Sequence, residues 1–355
     1  MNNIAAHIDD SIALLIQLIA TPSFSREEEQ TATIIGDYLL ARGVEVHRVG
    51  NNVIAYNKHF DKDKPTILLN SHHDTVKPNP GYTKNPFEAI IEDEKLYGLG
   101  SNDAGGCLVS LAAAFLYYYD QTGLAYNLCL LASAEEEISG KNGIEEAYKH
   151  LPNCAFAIVG EPTLLDLAVA EKGLMVLDCV TQGQSGHAAR EEGVNAIYKA
   201  IEDIRWFQTY SFPQQSTHLG PVKMSVTMIN AGSQHNIVPA SCSYVVDVRT
   251  TDAYTNQEVL DIIRQHVQSA VTPRSTRLNP SSIDVKHPIV LSGQKLGKKI
   301  YGSPTMSDQA LLPIPSVKVG PGDSARSHTA DEFIYIQEIK DGVQFYIDLL
   351  QNILL

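Results

Sequence analysis

Five short segments of the chain carry acidic or histidine side chains of the kinds that bind divalent metal ions in proteins. These segments supply the following residues: His72 and Asp74; Asp103; Glu135, Glu136 and Glu137; Glu161; and His328. Each segment alone is also typical of a polar turn or a helix cap. Two metal ions about 3.5–4 Å apart need one bridging carboxylate and further ligands on each ion. The set supplies these and leaves one glutamate as a base, so it predicts a two-metal hydrolase.

Two of the segments indicate such a site most directly. Side chains alternate between the faces of a strand, so His72 and Asp74 share a side after the apolar run 66–70, and His73 points away. A metal-bound histidine usually donates its other N–H to a carboxylate, which the His-Xaa-Asp spacing provides. The three adjacent carboxylates at 135–137 also follow an apolar run, where they repel one another unless a cation neutralises them.

Other kinds of active site do not fit the sequence. The glycine-rich run 98–106 has Asp103 where a dinucleotide-binding fingerprint needs glycine, and it lacks the lysine of a phosphate-binding loop. No Gly-Xaa-Ser-Xaa-Gly segment marks a serine nucleophile. The five cysteines form no Cys-Xaa-Xaa-Cys pair and sit mostly in apolar runs. We therefore expect buried free thiols in a reducing compartment.

Composition limits the classes of partner. The 355 residues carry a net charge of -14, which argues against nucleic acid and against an anionic membrane surface. The sequence shows neither a secretory signal nor an apolar run of transmembrane length. These features predict a cytoplasmic protein with no nucleic-acid or membrane partner.

The first part of the chain alternates helix and strand patterns. Helical spacing covers 3–20 and 104–119, and Ser25 with Glu28 forms a capping-box pattern before a helix that stops at Gly43. Apolar or β-rich runs are found at 44–49, 53–56, 66–70, 127–132 and 156–159. Alternating helices and apolar strands predict an α/β domain with a mixed, mostly parallel sheet covered by helices on both faces.

The middle of the chain changes character. The longer, alternating strand patterns at 174–182, 222–229 and 243–248 are separated by helical patterns at 193–210 and 254–271. They predict an inserted α+β domain at 175–284, with an antiparallel sheet and two helices. The parent catalytic domain would then comprise 1–174 and 285–355. In its second part the patterns predict a helix at 292–301, a strand at 317–319 and a helix at 336–353.

At the five metal-binding segments the chain resembles the co-catalytic metallopeptidase and deacylase family of acetylornithine deacetylase, succinyl-diaminopimelate desuccinylase, aminoacylase and glutamate carboxypeptidase. The segments occur in the family's order and approximate spacing along nearly the whole chain. The resemblance implies that Asp103 bridges two divalent metal ions, zinc first, with cobalt or manganese as alternatives. His72 and Glu161 would bind one ion, and Glu137 and His328 the other.

The resemblance also implies further roles. Asp74 would orient His72, Glu136 would be the general base, and the peptide bond after Asp103 would be cis. The family usually has Asp-Glu-Glu where this chain has three glutamates, and aligning Glu135 with that aspartate brings the downstream Ser139 and 142–143 into register. In the alternative alignment Glu135 is the base and Glu136 the ligand.

The inserted domain resembles the family's lid and dimerisation domain, which implies a homodimer. His187, in the Gly-Gln-Ser-Gly-His segment, matches the histidine that reaches the partner's active site and stabilises the oxyanion. Asn236 and Arg249 match positions that contact the substrate, and an arginine suits a carboxylate. We expect the loop 302–308 to help select the substrate.

The reaction that the resemblance implies is hydrolysis of the amide bond of a small N-acyl amino acid. The acyl group would be acetyl or succinyl, and the amino acid ornithine first, or citrulline, lysine or diaminopimelate, in amino-acid and specifically arginine biosynthesis. One alternative is a dipeptidase or aminopeptidase of the same family. An alternative of another class is a catalytically idle binding protein on the same scaffold.

Overall fold

The computed structural model describes residues 4–190 and 192–355, and these form two compact units. Unit 1 comprises Met1–Val169, Ser282–Tyr301 and Ser307–Leu355, whereas unit 2 comprises Ala170–Ser281 and Gly302–Met306. Residue 3 of the first predicted helix and residue 191 of the predicted insertion lie outside the described residues. The segment Gly302–Met306 lies outside the predicted insertion, and its Ser303 carbonyl oxygen accepts a 3.3 Å hydrogen bond from the Lys172 N–H.

Eight α-helices are described, and most lie close to the predicted ones. Their bounds are α1 Ile4–Ile19, α2 Glu29–Leu40, α3 Gly106–Tyr118, α4 Ile144–Tyr148, α5 Ala196–Thr209, α6 Asn256–His266, α7 Pro288–Lys295 and α8 Ile336–Leu354. The apolar stripes that predicted α1, α2 and α8 are their buried faces. Within the described chain, no helix has the length and apolar character needed to cross a membrane.

The strands form one large mixed sheet, an antiparallel sheet and two smaller ladders. Their bounds are β1 Val46–Val49, β2 Asn52–Tyr56, β3 Thr66–His72, β4 Ile90–Glu92, β5 Lys95–Tyr97, β6 Asn127–Ser133, β7 Cys154–Val159, β8 Leu167–Glu171, β9 Gly173–Gln182, β10 Gly186–His187, β11 Lys223–Ala231, β12 Ile237–Val238, β13 Ser241–Thr250, β14 Ala270–Pro273, β15 Ser281–Ser282, β16 Ile300–Ser303, β17 Ser316–Lys318 and β18 Phe333–Tyr335. The large sheet has the order β1-β2-β6-β3-β7-β17-β8-β15, with β16 also beside β8.

The centre of the large sheet is parallel and buried on both faces. Strands β6, β3, β7 and β17 run parallel, while β2 and β8 flank them in the antiparallel direction. On one face, alternate residues such as Ile67 and Leu69 pack against α1, α2, α3 and α8. On the other face, Leu68 and Leu131 pack against Ile144 and Ala147 of α4. The predicted α/β fold is therefore confirmed, and all five cysteines are free and buried, as expected.

Unit 2 contains an antiparallel sheet in the order β11-β13-β9-β14. Alternate residues of β9 and β13, including Leu177 and Val246, pack against α5 and α6 on one face. Helix α5 is tied to the start of β14 by buried Asp203, whose carboxylate accepts the N–H groups of Gln268 and Ser269 at 3.0 and 2.9 Å. The antiparallel sheet with two helices confirms the predicted α+β pattern.

Three local predictions were wrong. The helical pattern 254–271 extends too far, because α6 ends at His266 and β14 begins at Ala270. The segment 292–301 is not one helix: α7 covers Pro288–Lys295, and β16 begins at Ile300 after the left-handed turn at Gly297, whose φ is +80°. Helix α2 has no capping box, because the Glu28 carboxylate accepts from the Arg26 N–H at 2.6 Å rather than from Ser25. The Ser25 hydroxyl is used elsewhere, within the candidate site described below.

Candidate metal centre

The predicted ligands converge at one edge of the large sheet in unit 1. His72 is the last residue of β3, and it lies beside Ser133, the last residue of β6. The glutamates at 135–137 follow β6, and Glu161 follows β7 by two residues. Because β6, β3 and β7 are parallel neighbours, their carboxyl ends open at the same edge, where α/β proteins place their sites. The order of the strands thus brings together residues that are distant in sequence, such as His72 and Glu161, which are 89 positions apart.

Asp103 lies at the middle of the cluster, and each of its carboxylate oxygens faces a different histidine. Its Oδ1 is 3.3 Å from His72 Nε2, and its Oδ2 is 3.6 Å from His328 Nε2. On the first side, Glu161 Oε1 is 3.8 Å from His72 Nε2. On the second side, Glu137 Oε2 is 3.0 Å from His328 Nε2. The site therefore has two halves, each with one histidine and one glutamate, that share a single carboxylate.

Glu136 reaches into this cluster, whereas Glu135 turns away from it. Glu136 Oε2 lies 4.0 Å from His72 Nε2, in the half that also contains Glu161. The buried Glu135 carboxylate instead accepts hydrogen bonds from the Asn142 N–H at 3.3 Å and the Asn142 side-chain amide at 3.0 Å. This arrangement favours the alignment in which Glu136 and Glu137, not Glu135 and Glu136, serve as base and ligand.

His72, the last residue of β3, and His73, directly after it, point to opposite sides, as the alternation predicted. His72 Nδ1 donates to the backbone oxygen of Asp74 at 3.0 Å, which leaves Nε2 facing the cluster. His73 instead contacts the Thr31 hydroxyl at 2.9 Å and the Asn51 backbone oxygen at 3.0 Å. Burial lowers the pKa of His73 to about 4, so it is a neutral core histidine.

Asp74 positions more of the site than the spacing suggested. Its carboxylate is 3.5 Å from His72 Nδ1, but it makes shorter contacts elsewhere. It accepts the Ser25 hydroxyl at 2.7 Å and the backbone N–H groups of Glu136 and Glu137 at 3.0 and 3.2 Å. One buried carboxylate therefore supports the His72 strand end and fixes the turn that carries both functional glutamates.

The charges within the cluster are strongly coupled. Burial alone would lower the pKa of His72, but hydrogen bonds to Asp103 and Asp74 outweigh it and raise the pKa well above its usual range. The hydrogen bond to Glu137 raises the pKa of His328 to about 9. Burial, with neighbouring carboxylates including Glu161, raises the pKa of Glu136 well above its usual range. The site thus gathers more negative charge than its own side chains neutralise.

This donor set fits divalent metal ions. The nitrogen and carboxylate oxygen atoms of His72, Asp103 and Glu137 lie within 4.8 Å of one another, as do those of His72, Glu136 and Glu161. Imidazole nitrogen and carboxylate oxygen are ligands that zinc takes in proteins. His72 is almost fully buried, whereas the His328 side chain is 56% exposed, so the cluster is open on the His328 side. The predicted cis peptide after Asp103 is confirmed.

Two buried acids at the site were not predicted. Glu332 accepts the backbone N–H groups of Gly100, Asn102 and Asp103, and burial raises its pKa to about 8. Asp308 accepts the Asn70 side-chain amide at 2.9 Å and the Ser133 hydroxyl at 2.6 Å, and burial raises its pKa to about 6. Neither acid follows an apolar strand in the sequence. Only Glu332 had a signal there, which was the largely polar run from His328 to Glu332.

The remaining predicted residues, His187, Asn236 and Arg249, belong to unit 2. His187 is exposed in β10, and its Nδ1 accepts the Ala189 N–H at 3.1 Å. Asn236 is close by, because its backbone oxygen accepts the Ala188 N–H at 3.0 Å. Arg249 lies on the sheet face opposite the helices and forms a two-point ion pair with Asp247, at 2.8 and 3.1 Å. Part of its charge is therefore already compensated.

Comparisons with known proteins agree with this geometry. Residues 68–352 match the sequence model of peptidase family M20/M25/M40. The acetylornithine deacetylase of Proteus mirabilis is 29% identical over an alignment that covers 96% of each chain. Among solved structures, aminopeptidase PepT of Bacillus cereus aligns with a TM-score of 0.76, at 17% identity over 98% of each chain. The YXEP protein of Bacillus subtilis, described as a dinuclear metal binding peptidase, aligns with a TM-score of 0.73, at 17% identity over 98% of each chain.

Asp74→Asn tests the positioning role of the Asp74 carboxylate. The amide keeps the size of the side chain but turns one acceptor into a donor facing the 136–137 turn or Ser25. We expect zinc to bind the metal-free variant about 10–100-fold more weakly than it binds the metal-free wild type. Losses of this size are usual when a group that hydrogen-bonds to a metal ligand is removed. Ser25→Ala, which removes one of the three short contacts, should have a smaller effect. Competition with a chromogenic chelator measures both affinities, and a wild-type value for Asp74→Asn would contradict the role.

Proposed function

Because the chain belongs to peptidase family M20/M25/M40, we propose that it hydrolyses the amide bond of a small N-acyl amino acid with the help of two metal ions. The observation that carries the proposal is the paired arrangement around Asp103, in which each oxygen of one carboxylate faces its own histidine and each histidine lies beside a glutamate. Two ions sharing one bridging carboxylate need this kind of arrangement.

In this proposal the ligands are divided between the two halves of the site. His72 and Glu161 would hold one ion, Glu137 and His328 the other, and Asp103 would bridge them. Zinc is the proposed metal, with cobalt and manganese as alternatives that the same ligands accept. When bound, such ions lower the pKa of water and polarise the acyl carbonyl of a substrate.

The protein's own groups would move the protons. Glu136 lies in the cluster and is left over when each ion has its histidine and glutamate, so we assign it the general base that accepts a proton from the attacking water. The same carboxylate then delivers that proton to the leaving amine. His187 of the partner subunit would donate a hydrogen bond to the developing oxyanion.

The proposed substrate is N-acetylornithine or a related N-acetyl or N-succinyl derivative of ornithine, citrulline, lysine or diaminopimelate, in arginine or related amino-acid biosynthesis in the cytoplasm. The support is the full-length similarity to an acetylornithine deacetylase. Asn236 and Arg249 are the proposed substrate contacts, with Arg249 exchanging part of its pairing to Asp247 for a substrate carboxylate. The similarity to aminopeptidase PepT keeps a peptidase as the second candidate.

A homodimer through unit 2 is part of the proposal. Strand β11 lies at the edge of its sheet, and Met228 and Ile229 on it are 56% and 51% exposed. Tyr198 and Ile201 of α5 are exposed as well. An unpaired strand edge beside exposed apolar side chains is a surface that another chain can cover by strand pairing and apolar burial.

A substrate panel tests the proposed activity. Protein purified without chelator should hydrolyse N-acetyl or N-succinyl amino acids faster than dipeptides, with N-acetylornithine among the best substrates. Activity should disappear with chelator and return with added zinc or cobalt, as measured by release of the free amino group. Faster cleavage of dipeptides would favour the peptidase. Absence of bound metal, together with no activation by metal, would favour an idle binding protein.

Glu136→Gln tests the general base. We expect kcat to fall by about 10²–10⁴-fold, the usual contribution of a positioned acid–base group, while both metal ions remain bound. The matched control is Glu135→Gln, because Glu135 bonds to Asn142 rather than entering the cluster. Steady-state kinetics with metal analysis measures the outcome. Loss of a metal ion in Glu136→Gln, together with a large loss of kcat in a Glu135→Gln variant that keeps both ions, would instead support the other alignment.

Mixed dimers test the proposed contribution of His187 to the partner's active site. We expect Glu136→Gln and His187→Ala each to be nearly inactive as homodimers. A mixed dimer, purified through two different affinity tags, should regain one working site, because the Glu136→Gln chain lends its His187 to the other chain. Turnover by the mixed dimer measures this directly. No recovery in a verified mixed dimer would show that His187 acts within its own chain, and an active His187→Ala homodimer would show that it has no catalytic role.

A further inference from the structure

We propose that Glu332 is a positioning residue that sets Asp103 in place before any metal binds and makes the two halves of the site gain or lose their ions together. The inference rests on the proposed two-metal function. Glu332 is not a candidate ligand itself, because its carboxylate is engaged with the backbone that leads into Asp103 rather than with the cluster.

The hydrogen bonds described for the Glu332 carboxylate are with that backbone. Its Oε1 accepts the N–H groups of Asn102 and Asp103 at 2.8 and 2.9 Å, and its Oε2 accepts the Gly100 N–H at 3.0 Å. The Glu332 backbone oxygen also accepts the Gly98 N–H at 3.0 Å. The side chain is 2% exposed, so water does not replace these bonds. Glu332 thus accepts hydrogen bonds from four backbone N–H groups of the loop between Gly98 and Asp103.

The loop has little freedom to adopt another shape around this carboxylate. Gly98 and Gly100 have φ values of +149° and +76°, which other residues rarely adopt. A Cβ atom on Gly100 would lie 2.6 Å from Thr75 Cγ2. The loop is therefore packed closely against the segment that follows the His72 strand. Removing an acceptor from Glu332 would leave buried N–H groups unpaired, and the loop could not simply turn them toward solvent.

Glu332 also connects the two halves of the site through the chain. It lies four residues after His328, so the segment that carries one terminal ligand also holds the shared carboxylate. The segment is fixed at its other points as well. Asp331 accepts the N–H groups of Thr83 and Lys84 at 2.8 and 2.9 Å, and Arg326 pairs with Glu338 at 2.6 Å. A shift of Asp103 would change the environment of both ions, since each histidine faces one of its oxygens.

The three contacts of the Glu332 side chain need an acceptor at both oxygen positions. Glutamine cannot reproduce them, because its amino group would face an N–H donor at one of the two oxygen positions. The substitution therefore tests the positioning role without changing the volume of the side chain.

The experiment compares Glu332→Gln with Asp203→Asn, which changes a buried carboxylate of unit 2 that also accepts backbone N–H groups. Zinc chloride is titrated into each chelator-stripped, full-length protein in competition with a chromogenic chelator. We expect Glu332→Gln to weaken both zinc-binding events by about 10–100-fold, while Asp203→Asn stays close to wild type. A wild-type affinity in Glu332→Gln, or a loss confined to one of the two ions, would overturn the inference.

A second measurement on the unmodified protein guards against a variant that fails to fold. Amide hydrogen exchange in metal-free wild type should show slow exchange at Gly100, Asn102 and Asp103, because Glu332 already holds them. Fast exchange at these amides, with protection appearing only after zinc is added, would also overturn the inference. If Glu332→Gln loses zinc affinity but the wild type hydrolyses nothing in the substrate panel, the positioning role stands and the proposed function fails.

Discussion

The structure depends on how it holds several carboxylates together at one edge of a sheet. Asp74, Asp103, Glu136, Glu137 and Glu161 all approach the same two histidines. Like charges at such distances repel strongly when they are buried, so protons or cations must balance them. The supporting contacts use neutral groups: backbone N–H groups and a serine hydroxyl hold Asp74, and backbone N–H groups alone hold Glu332. The support is rigid, yet the negative charge remains available to metal ions.

Much of this could be read from the sequence, because strand ends are visible there. Apolar runs located β3, β6 and β7, and the polar residues directly after them include proposed ligands that lie together in the cluster. The alternation along β3 separated His72 from His73 correctly. These inferences succeed because the side-chain period of a strand and the common edge of parallel strands are local rules. The resemblance to the metallopeptidase and deacylase family then supplied roles that spacing alone left open.

Three of the failures, at Ser25, Glu332 and Asp308, share one physical cause, which is that they involve partners distant in sequence. Ser25 has the pattern of a helix cap, yet its hydroxyl bonds to Asp74, 49 residues away. Glu332 and Asp308 hold backbone and side chains more than 170 residues away from them. Such contacts produce no periodic pattern in the sequence, and a polar residue in a loop is compatible with many hydrogen-bond partners. The segment 292–301 failed for a local reason, because a glycine turn divides a helix from a strand within an apparently helical pattern.

The position of β17 has a consequence for how the protein is made. This strand, Ser316–Lys318, lies between β7 and β8 in the sheet, although more than 140 residues separate it from either of them. During synthesis, β7 and β8 therefore emerge long before the strand that joins them, and the Asp103 loop emerges long before Glu332. Contacts between such distant segments form slowly. The candidate metal centre is thus completed only after the segment around Glu332 has been made, so a nascent chain that stops short of this segment exposes neither a finished sheet nor a finished site.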